Sequence, residues 1–587
     1  MKFHPSKPLF WVLVLSIIAT LPFIGLTDFY SKGEPREAVV ALSMLKNGDW
    51  ILPVNNGGDI PYKPPFFHWC IAICSLLPGY VSEFTARLPS ALSLIVLTGI
   101  SYMFFARRKN GQIALLTAFL LLTAFEVHRA GMACRVDMML TVFIVGALYL
   151  FYRWWENGME GLPVGAVLCM SGAVLTKGPV GFLLPCLVMV AFLWLRGKSF
   201  FDTLFRFIGF AILSGLLPAL WYIAAYWEGG SNFFDLVMEE NFGRFLGRMS
   251  YESHRHSFIY NFITLLTGWF PWTLLLLFSS LTLPWKRYLH RLKWPKPRSI
   301  RRGWFVLTGK CRDAAPLQLF VWIAFLSILL FYCIPSSKRS TYLLPCYPFM
   351  AYLIAEYIVW LLASGRGRIV RLYTGFLAVL GFVLTGLFVT VRTGVVPHSI
   401  FHGKHAADNQ AMLSALEHTD LISFNGLFLA LLLFVTVSTV VFLVGKSGQL
   451  RNRRLLTTTA AMVLALFFAV DGVIQPIVLN TKSDRPVAAF ITKRFPNDCI
   501  YSYIKAPKMH FFATNFYTGD RIKQLDLSKP TAGILMIGAR DTTEYFAEKR
   551  RFFDFKYVTH ISKEVTEIRD QIFFYRLERS KRLYKEH

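Results

Sequence analysis

Asp28-Phe-Tyr-Ser-Lys-Gly33-Glu34-Pro35-Arg36-Glu37-Ala38, continued by Met44-Leu-Lys-Asn-Gly-Asp-Trp50 and closed by Tyr62-Lys63-Pro64-Pro65, is a polar, proline-marked stretch set between apolar runs. The run before it, Pro8 to Leu26, and the run at 82–105 after it are each long enough to cross a bilayer core of roughly 30 Å, which takes about 20 residues of helix. The ionisable groups of the stretch therefore sit at a membrane face, where each is costly unless solvated or used. Between Arg36 and Asn47, Val39, Leu42 and Leu45 make one helical stripe with Arg36, Ser43 and Asn47 opposite. That pattern predicts an amphipathic helix lying in the interface with Glu34 at its N-terminal end. Lys63, before a Pro-Pro pair, is held on a stiff extended segment.

Working outward, the chain has 587 residues, 55% hydrophobic and only 17% charged, with a net charge of +27. So little charge excludes an ordinary soluble enzyme. Thirteen apolar runs read as spans: 9–27, 82–105, 112–127, 138–155, 161–176, 178–195, 204–226, 258–284, 316–335, 341–362, 372–391, 421–444 and 456–479. The first, too long for a secretory h-region and without a small-residue cleavage site, reads as an uncleaved span. Phe66 to Pro78 is too short to cross and reads as interfacial or re-entrant. With the N-terminus inside, the inner loops and their flanks carry 26 Lys+Arg and the longer outer loops 14, as the positive-inside rule requires. Ten of the inner cations lie between Trp285 and Ala315. They read as a topogenic loop against anionic lipid, and no nucleic-acid partner is implied. Nine cysteines form neither a CxxC pair nor a metal spacing.

An odd span count puts the C-terminus outside. After residue 480 the composition changes, giving a division into a membrane domain over 1–480 and a soluble α/β domain over 481–587. Arg485 to Phe495 and Thr542 to Arg551 read as helices, and Cys499 to Ile504, Gly533 to Gly538 and Gln571 to Leu577 as strands. The tail contains no nucleophile motif or glycine-rich phosphate loop, so it reads as a structural or acceptor-docking unit.

Further outer turns present matching groups: Asp137 in Cys134-Arg-Val-Asp137, Lys177 in Leu175-Thr-Lys177-Gly178-Pro179, Arg244 and Arg248 in a turn that begins Glu239-Glu, and Lys338, Arg339 and Tyr342 in Ser336-Ser-Lys338-Arg339-Ser-Thr-Tyr342. Cations gathered at one membrane face, with a few carboxylates, suit displacement at a sugar carbon with a lipid phosphate as leaving group. Lys and Arg stabilise the charge that accumulates on the phosphate, and a carboxylate takes the acceptor's proton.

The motifs Gly33-Glu34-Pro35-Arg36-Glu37-Ala38, Gly48-Asp49-Trp50-Ile51-Leu52-Pro53 and Tyr62-Lys63-Pro64-Pro65 with Trp69 resemble the first periplasmic loop of the lipid A aminoarabinose transferases and their relatives in the protein O-mannosyltransferase superfamily. Asp137, Leu175-Thr-Lys177-Gly178 and Lys338-Arg339-Ser-Thr-Tyr342-Leu-Leu-Pro345 are similar to later motifs of that family. The resemblance implies a polytopic α-helical GT-C fold with thirteen transmembrane helices and a periplasmic C-terminal domain. It also implies inverting transfer from an undecaprenyl or other polyprenyl phosphate-linked sugar, aminoarabinose-like or another pentose or hexose, in the bacterial inner membrane. Lys63, Lys177, Lys338 and Tyr342 carry over as donor-phosphate contacts, with Arg244 and Arg339 beside them, and Asp137 as an active-site acid. Arg36 and Tyr62 are further active-site candidates. Two positions depart from the family. The Asp of its Asp-Glu pair is Gly33 here, which leaves Glu34 as the base candidate and leans toward a phosphorylated or otherwise acidic acceptor. Its Glu before Lys-Pro is Tyr62, which removes a ligand that a metal would use.

The function expected is glycosyl transfer to lipid A or a related envelope lipid by a monomer embedded in membrane lipid, with Glu34 and Asp137 as the acid/base pair. A protein Ser/Thr or a glycan is the alternative acceptor, and a lipid-linked sugar flippase is the rival of another class. A transporter would show repeats and midplane charges, whereas these charges collect at one face. No cofactor is expected. A divalent metal is the one group left open, with Glu252, His254 and His256 as donors, although an HxH in a long loop more often grips substrate.

Overall fold

The computed structural model describes residues 6–243, 248, 255–282, 309, 311–403, 406–420, 422–445, 451–506, 508–528, 530–549 and 552–580. The first ten helices carry the features that matter here: α1 (Ser6–Thr20), α2 (Gly33–Asn47), α3 (Phe66–Leu76), α4 (Glu83–Arg108), α5 (Gly111–Leu122), α6 (Phe125–Gly131), α7 (Val136–Glu156), α8 (Val164–Lys177), α9 (Val180–Leu195) and α10 (Phe200–Met238). Each of the thirteen apolar runs is helical. Eight helices are long and apolar enough to cross a membrane, or ten if the bent pairs Gly111–Leu122 with Phe125–Gly131 (66°) and Ile259–Gly268 with Trp272–Leu281 (102°) each count as one span. The other three expected spans, α1, α8 and α9, are helices of 15, 14 and 16 residues, shorter than a full crossing of a ~30 Å core. The chain is a multi-pass membrane protein.

The bundle core is apolar and aromatic, with Phe104, Phe105, Tyr149, Tyr152, Phe320 and Tyr352 buried together and Phe104 stacked on Tyr149 at 3.9 Å. Small residues let helices approach closely. A Cβ at Gly181 would lie 2.6 Å from the backbone of Ala173 and Val174, so α9 rests directly on α8. One polar contact inside the bundle is fully paired: His128 Nε2 lies 2.7 Å from Asp471 Oδ2, and Gln475 donates to the other oxygen at 2.6 Å.

After residue 480 the chain builds a five-stranded sheet in the order β2-β1-β3-β5-β4. Its strands are β1 (Ile500–Tyr503), β2 (Ile522–Gln524), β3 (Ala532–Gly538), β4 (Phe553–Val565) and β5 (Asp570–Arg579). β1 pairs in parallel with β2 and β3, and β5 pairs antiparallel with β3 and β4. The period of two along β3 explains how both faces are covered: Ile534 and Met536 pack with Val487 and Ile491, while Leu535 and Ile537 pack with Leu525 and Tyr545. Helices Arg485–Arg494 and Ala539–Lys549 and strands β1, β3 and β5 fall where their sequence patterns put them. β2 is only three residues long and β4 alternates largely exposed positions, so neither carries an apolar signature.

The sheet domain sits on the first polar loop. The Tyr517 hydroxyl accepts from the Phe29 amide at 2.8 Å and donates to Glu83 at 2.7 Å. Lys46 donates to the Gly519 carbonyl at 2.9 Å, and Asn56 bonds Asp520, Asn515 and the Gln524 amide. This docking corrects the picture of α2 as a helix lying half in lipid. Ser43, expected on its polar face, is fully buried, and Val40, Ala41 and Met44 pack between Phe67 and Ile71 of α3 and Phe516 of the sheet domain. α3 is the short helix expected from Phe66 to Pro78, and it lies against α2 and α4.

Because α9 meets α8 backbone to backbone, Gly181→Val is expected to force the two apart at about 1–3 kcal/mol. Thermal unfolding of the purified protein in detergent reads this as a melting temperature several degrees lower; an unchanged midpoint would contradict the close approach.

Candidate active site

The first loop is fixed before it can act. Arg87 of α4 donates to both oxygens of Glu34, at 2.8 and 3.2 Å, and its Nη1 donates to the carbonyls of Ile24 and Thr27 at 2.8 and 2.5 Å. The Cys134 amide adds a 2.9 Å hydrogen bond to Glu34, and both side chains are 3% exposed. Burial alone would raise the Glu34 pKa, but Arg87, the Cys134 amide and Arg135 hold it below the usual carboxylate range. Both of its oxygens are thus taken up in holding the loop to the bundle.

One turn further along α2, Glu37 points into the site. Its Oε1 receives the Lys63 ammonium and, at 3.2 Å, the Arg36 guanidinium; its Oε2 lies 2.9 Å from His68 Nε2 of α3. Burial pushes this carboxyl up, but Lys63, the His68 hydrogen bond and Arg36 together hold it well below its ordinary value. Lys63 reaches it from the non-helical segment just before the Pro-Pro pair that leads into α3. Burial and the neighbouring Arg36, partly offset by Glu37, lower the Lys63 pKa to about 8. Arg36 and Lys63 flank the Tyr62 ring, at 5.5 and 5.7 Å from its centroid.

A second pair faces the first. Asp137 in the first turn of α7 binds the Lys177 ammonium at the end of α8, where Gly178, at φ 99°, ends the helix. Lys177 lies 4.3 Å from the centroid of the Tyr342 ring, which packs at 5.5 Å against Tyr332. Lys63 lies within the electrostatic reach of Asp137, so the two pairs are neighbours, and the cluster they form with Arg36, Tyr62 and Tyr342 is called the bowl below.

Of the residues expected at the site, Arg36, Tyr62, Lys63, Asp137, Lys177 and Tyr342 meet here. Glu34 lies behind the bowl in its ion pair with Arg87. Lys338 is 4% exposed and donates to the Pro335 carbonyl of its own turn, while Arg339 is half-buried at the start of the turn Ser340–Cys346. Arg244, Glu252 and His254 lie outside the described residues, and His256 stacks on Tyr260 at 4.1 Å.

Glu37 and His68 are the residues that sequence reasoning missed. The signal was present, because residues 33 and 37 are four apart and share a helix face. At Gly33 itself a Cβ would meet the Arg135 guanidinium at 2.8 Å, so that space is filled by a cation and the carboxylate comes from one turn later. Arg129, paired with Glu126 at 2.6 Å and 3.4 Å from Ser340, is a further cation near Asp137.

Glu37 and Asp137 each already carry an ammonium, position 62 is tyrosine, and no group of three or more His, Cys, Asp or Glu side chains converges among the described residues.

Residues 62–222 match the family model described as dolichyl-phosphate-mannose-protein mannosyltransferase. An uncharacterized protein of Aquifex aeolicus is 28% identical over 352 residues, 59% of this chain and 64% of that one. The undecaprenyl phosphate-alpha-4-amino-4-deoxy-L-arabinose arabinosyl transferase of Pectobacterium atrosepticum is 27% identical over 404 residues, 66% of this chain and 65% of that protein. The matched region thus spans just under two thirds of the length of these curated relatives. The crystal structure of ArnT from Cupriavidus metallidurans bound to undecaprenyl phosphate superposes with a TM-score of 0.66 at 18% identity, covering 97% of both chains, and its apo state with a TM-score of 0.63. The chain therefore has the ArnT-type GT-C fold over nearly its whole length and resembles the aminoarabinose transferases in sequence.

Glu34→Ala should leave Arg87 buried without its carboxylate, at about 3–5 kcal/mol. A marked fall in melting temperature is the expected reading, and a variant that melts like the wild type would remove Glu34 from its anchoring role.

Proposed function

We propose that the chain is a glycosyltransferase that moves a sugar from a polyprenyl phosphate to lipid A or a related envelope lipid, with inversion. It acts at the periplasmic face of the bacterial inner membrane, with a cytoplasmic N-terminus and a periplasmic sheet domain. The observation that carries this reading is the bowl itself: two lysines, Lys63 and Lys177, each resting on a carboxylate, beside Tyr342 and the Arg36–Tyr62 pair. Such a site is poised for an anion, since the ammoniums are already partly desolvated and an arriving phosphate can compete with the carboxylates for them. The likeness to arabinosyl transferases that use undecaprenyl phosphate supports the donor class.

In this mechanism the donor phosphate lies between Lys63 and Lys177. The acceptor oxygen attacks the anomeric carbon as the carbon–oxygen bond to phosphate breaks, and the electron pair leaves with the phosphate, whose added charge the two lysines meet. A hydroxyl acceptor gives its proton to Glu37, whereas an acceptor already ionised needs no base. Asp137 orients Lys177. With Glu37 in the bowl, Gly33 does not leave the site without a carboxylate, so the acceptor is not restricted to phosphates on that ground. The match to the protein mannosyltransferase model favours a protein hydroxyl as the second reading.

Purified protein given radiolabelled polyprenyl phosphate sugars should label lipid A and not a Ser/Thr peptide, and Lys63→Ala and Lys177→Ala should each lose on the order of 10²-fold in kcat/KM, as when one charge-stabilising donor is removed. Peptide labelling would favour the second reading, and lipid movement without transfer would overturn both. With Lys63 titrating near 8, its cationic form is present below that pH and lost above it, so kcat/KM for donor should fall above about pH 8. Lys63→Arg should move that limb upward; a limb unmoved by the substitution would detach it from Lys63.

A further inference from the structure

Glu37 is held by two neighbours of different kinds. On Oε1 sit the Lys63 ammonium and, more distantly, Arg36; on Oε2 sits the His68 ring. A carboxylate only accepts hydrogen bonds, so Nε2 carries the proton in that contact. The other ring nitrogen, Nδ1, is buried with no hydrogen-bond partner among the described residues, so the single polar commitment of His68 is to Glu37. The two neighbours also differ in freedom. The Lys63 side chain is 17% exposed, on a four-carbon stem outside any helix, whereas the His68 side chain is 2% exposed and fixed on α3 between α2 and α4.

These facts bear on a difficulty in the mechanism. With Lys63 and Arg36 both on it, Glu37 is a poor proton acceptor, yet it is the carboxylate best placed to be one. Resting on the glycosyl-transfer reading, we propose that Glu37 becomes a base only when donor phosphate draws Lys63 off its Oε1, and that His68 is the positioning residue that keeps the freed carboxylate aimed at the acceptor. The charged groups around Glu37 come from each element packed against it: Arg36 on α2, Lys63 on the Pro-Pro segment, His68 on α3 and, beyond Lys63, Asp137 on α7, with the Cys134 thiol also within its field. Of these, Lys63 is the closest partner of Oε1 and stands outside any helix, so its departure leaves that oxygen with only the more distant Arg36 contact. Donor therefore binds first, and the empty enzyme holds its base switched off. The acceptor's O–H bond then breaks to leave its proton on Oε1, while His68 retains its own proton throughout.

His68→Phe and His68→Gln test this, with a hydroxyl-bearing acceptor, with melting temperature and binding of undecaprenyl phosphate as controls on folding. His68→Phe is expected to bind undecaprenyl phosphate within about twofold of wild type and to lose on the order of 10²-fold in kcat, the scale of a misplaced reacting group. The acidic limb of its kcat–pH profile should move to higher pH, because Glu37 loses a donor that favours its ionised form. His68→Gln, which keeps an N–H, should recover most of kcat and return the limb toward wild type. Parallel losses of binding and kcat with an unmoved limb, or no rescue by Gln, would overturn the proposal. If wild-type protein transfers no sugar, the glycosyl-transfer reading itself fails, which is a separate outcome.

Discussion

Arg87 is the fastening on which the rest of the arrangement depends. One guanidinium joins the turns after α1, through the carbonyls of Ile24 and Thr27, to the start of α2, through Glu34, and the same carboxylate takes the amide of Cys134 just before α7. A buried arginine must satisfy every donor, and only folded chain can supply so many acceptors at a membrane face. Once α2 and the head of α7 are fixed to α4, Glu37 and Asp137 are fixed relative to each other. The sheet domain secures the outer side of the same loop: Glu83, at the head of α4, accepts from Tyr517 and Arg485, and Arg485 also reaches Asp28 at 3.2 Å. The loop is thereby clamped between bundle and sheet, and Lys63 is among the side chains left with room to move.

The second theme is charge held in reserve. A lysine at the edge of a low-dielectric bundle loses hydration, and a carboxylate beside it compensates. In the bowl each reactive lysine has such a partner, so the empty site stays stable while the ammoniums remain available to a competing anion. In the proposed mechanism Glu37 and Asp137 thereby have a role that a simple acid/base pair would not have: they hold the lysines until phosphate arrives.

Much of this was legible in the sequence. The apolar runs predicted the helices, the Pro-Pro pair marked the start of α3, and the short glycine-bounded apolar run Gly533 to Gly538 predicted the strand at the middle of the sheet. What was not legible follows from three-dimensional substitution. Glu34 looked like the base because it fills a family position, but its partner Arg87 is 53 residues away in sequence. Glu37 was hidden because its carboxylate replaces one expected a turn earlier, where Arg135 now lies. The amphipathic stripe of α2 was real in the sequence, yet Ser43 of its polar face is buried and the helix packs against Phe516 of the sheet domain, whose docking no local pattern predicts.

The most direct measurement is a cryo-EM structure of the protein with undecaprenyl phosphate, at a resolution that places the phosphate and the Lys63 side chain. The expected density is a phosphate between Lys63 and Lys177, with the Lys63 ammonium moved from Glu37 to a phosphate oxygen and Glu37 still bonded to His68. A phosphate bound elsewhere, or bound here with Lys63 still on Glu37, would contradict it.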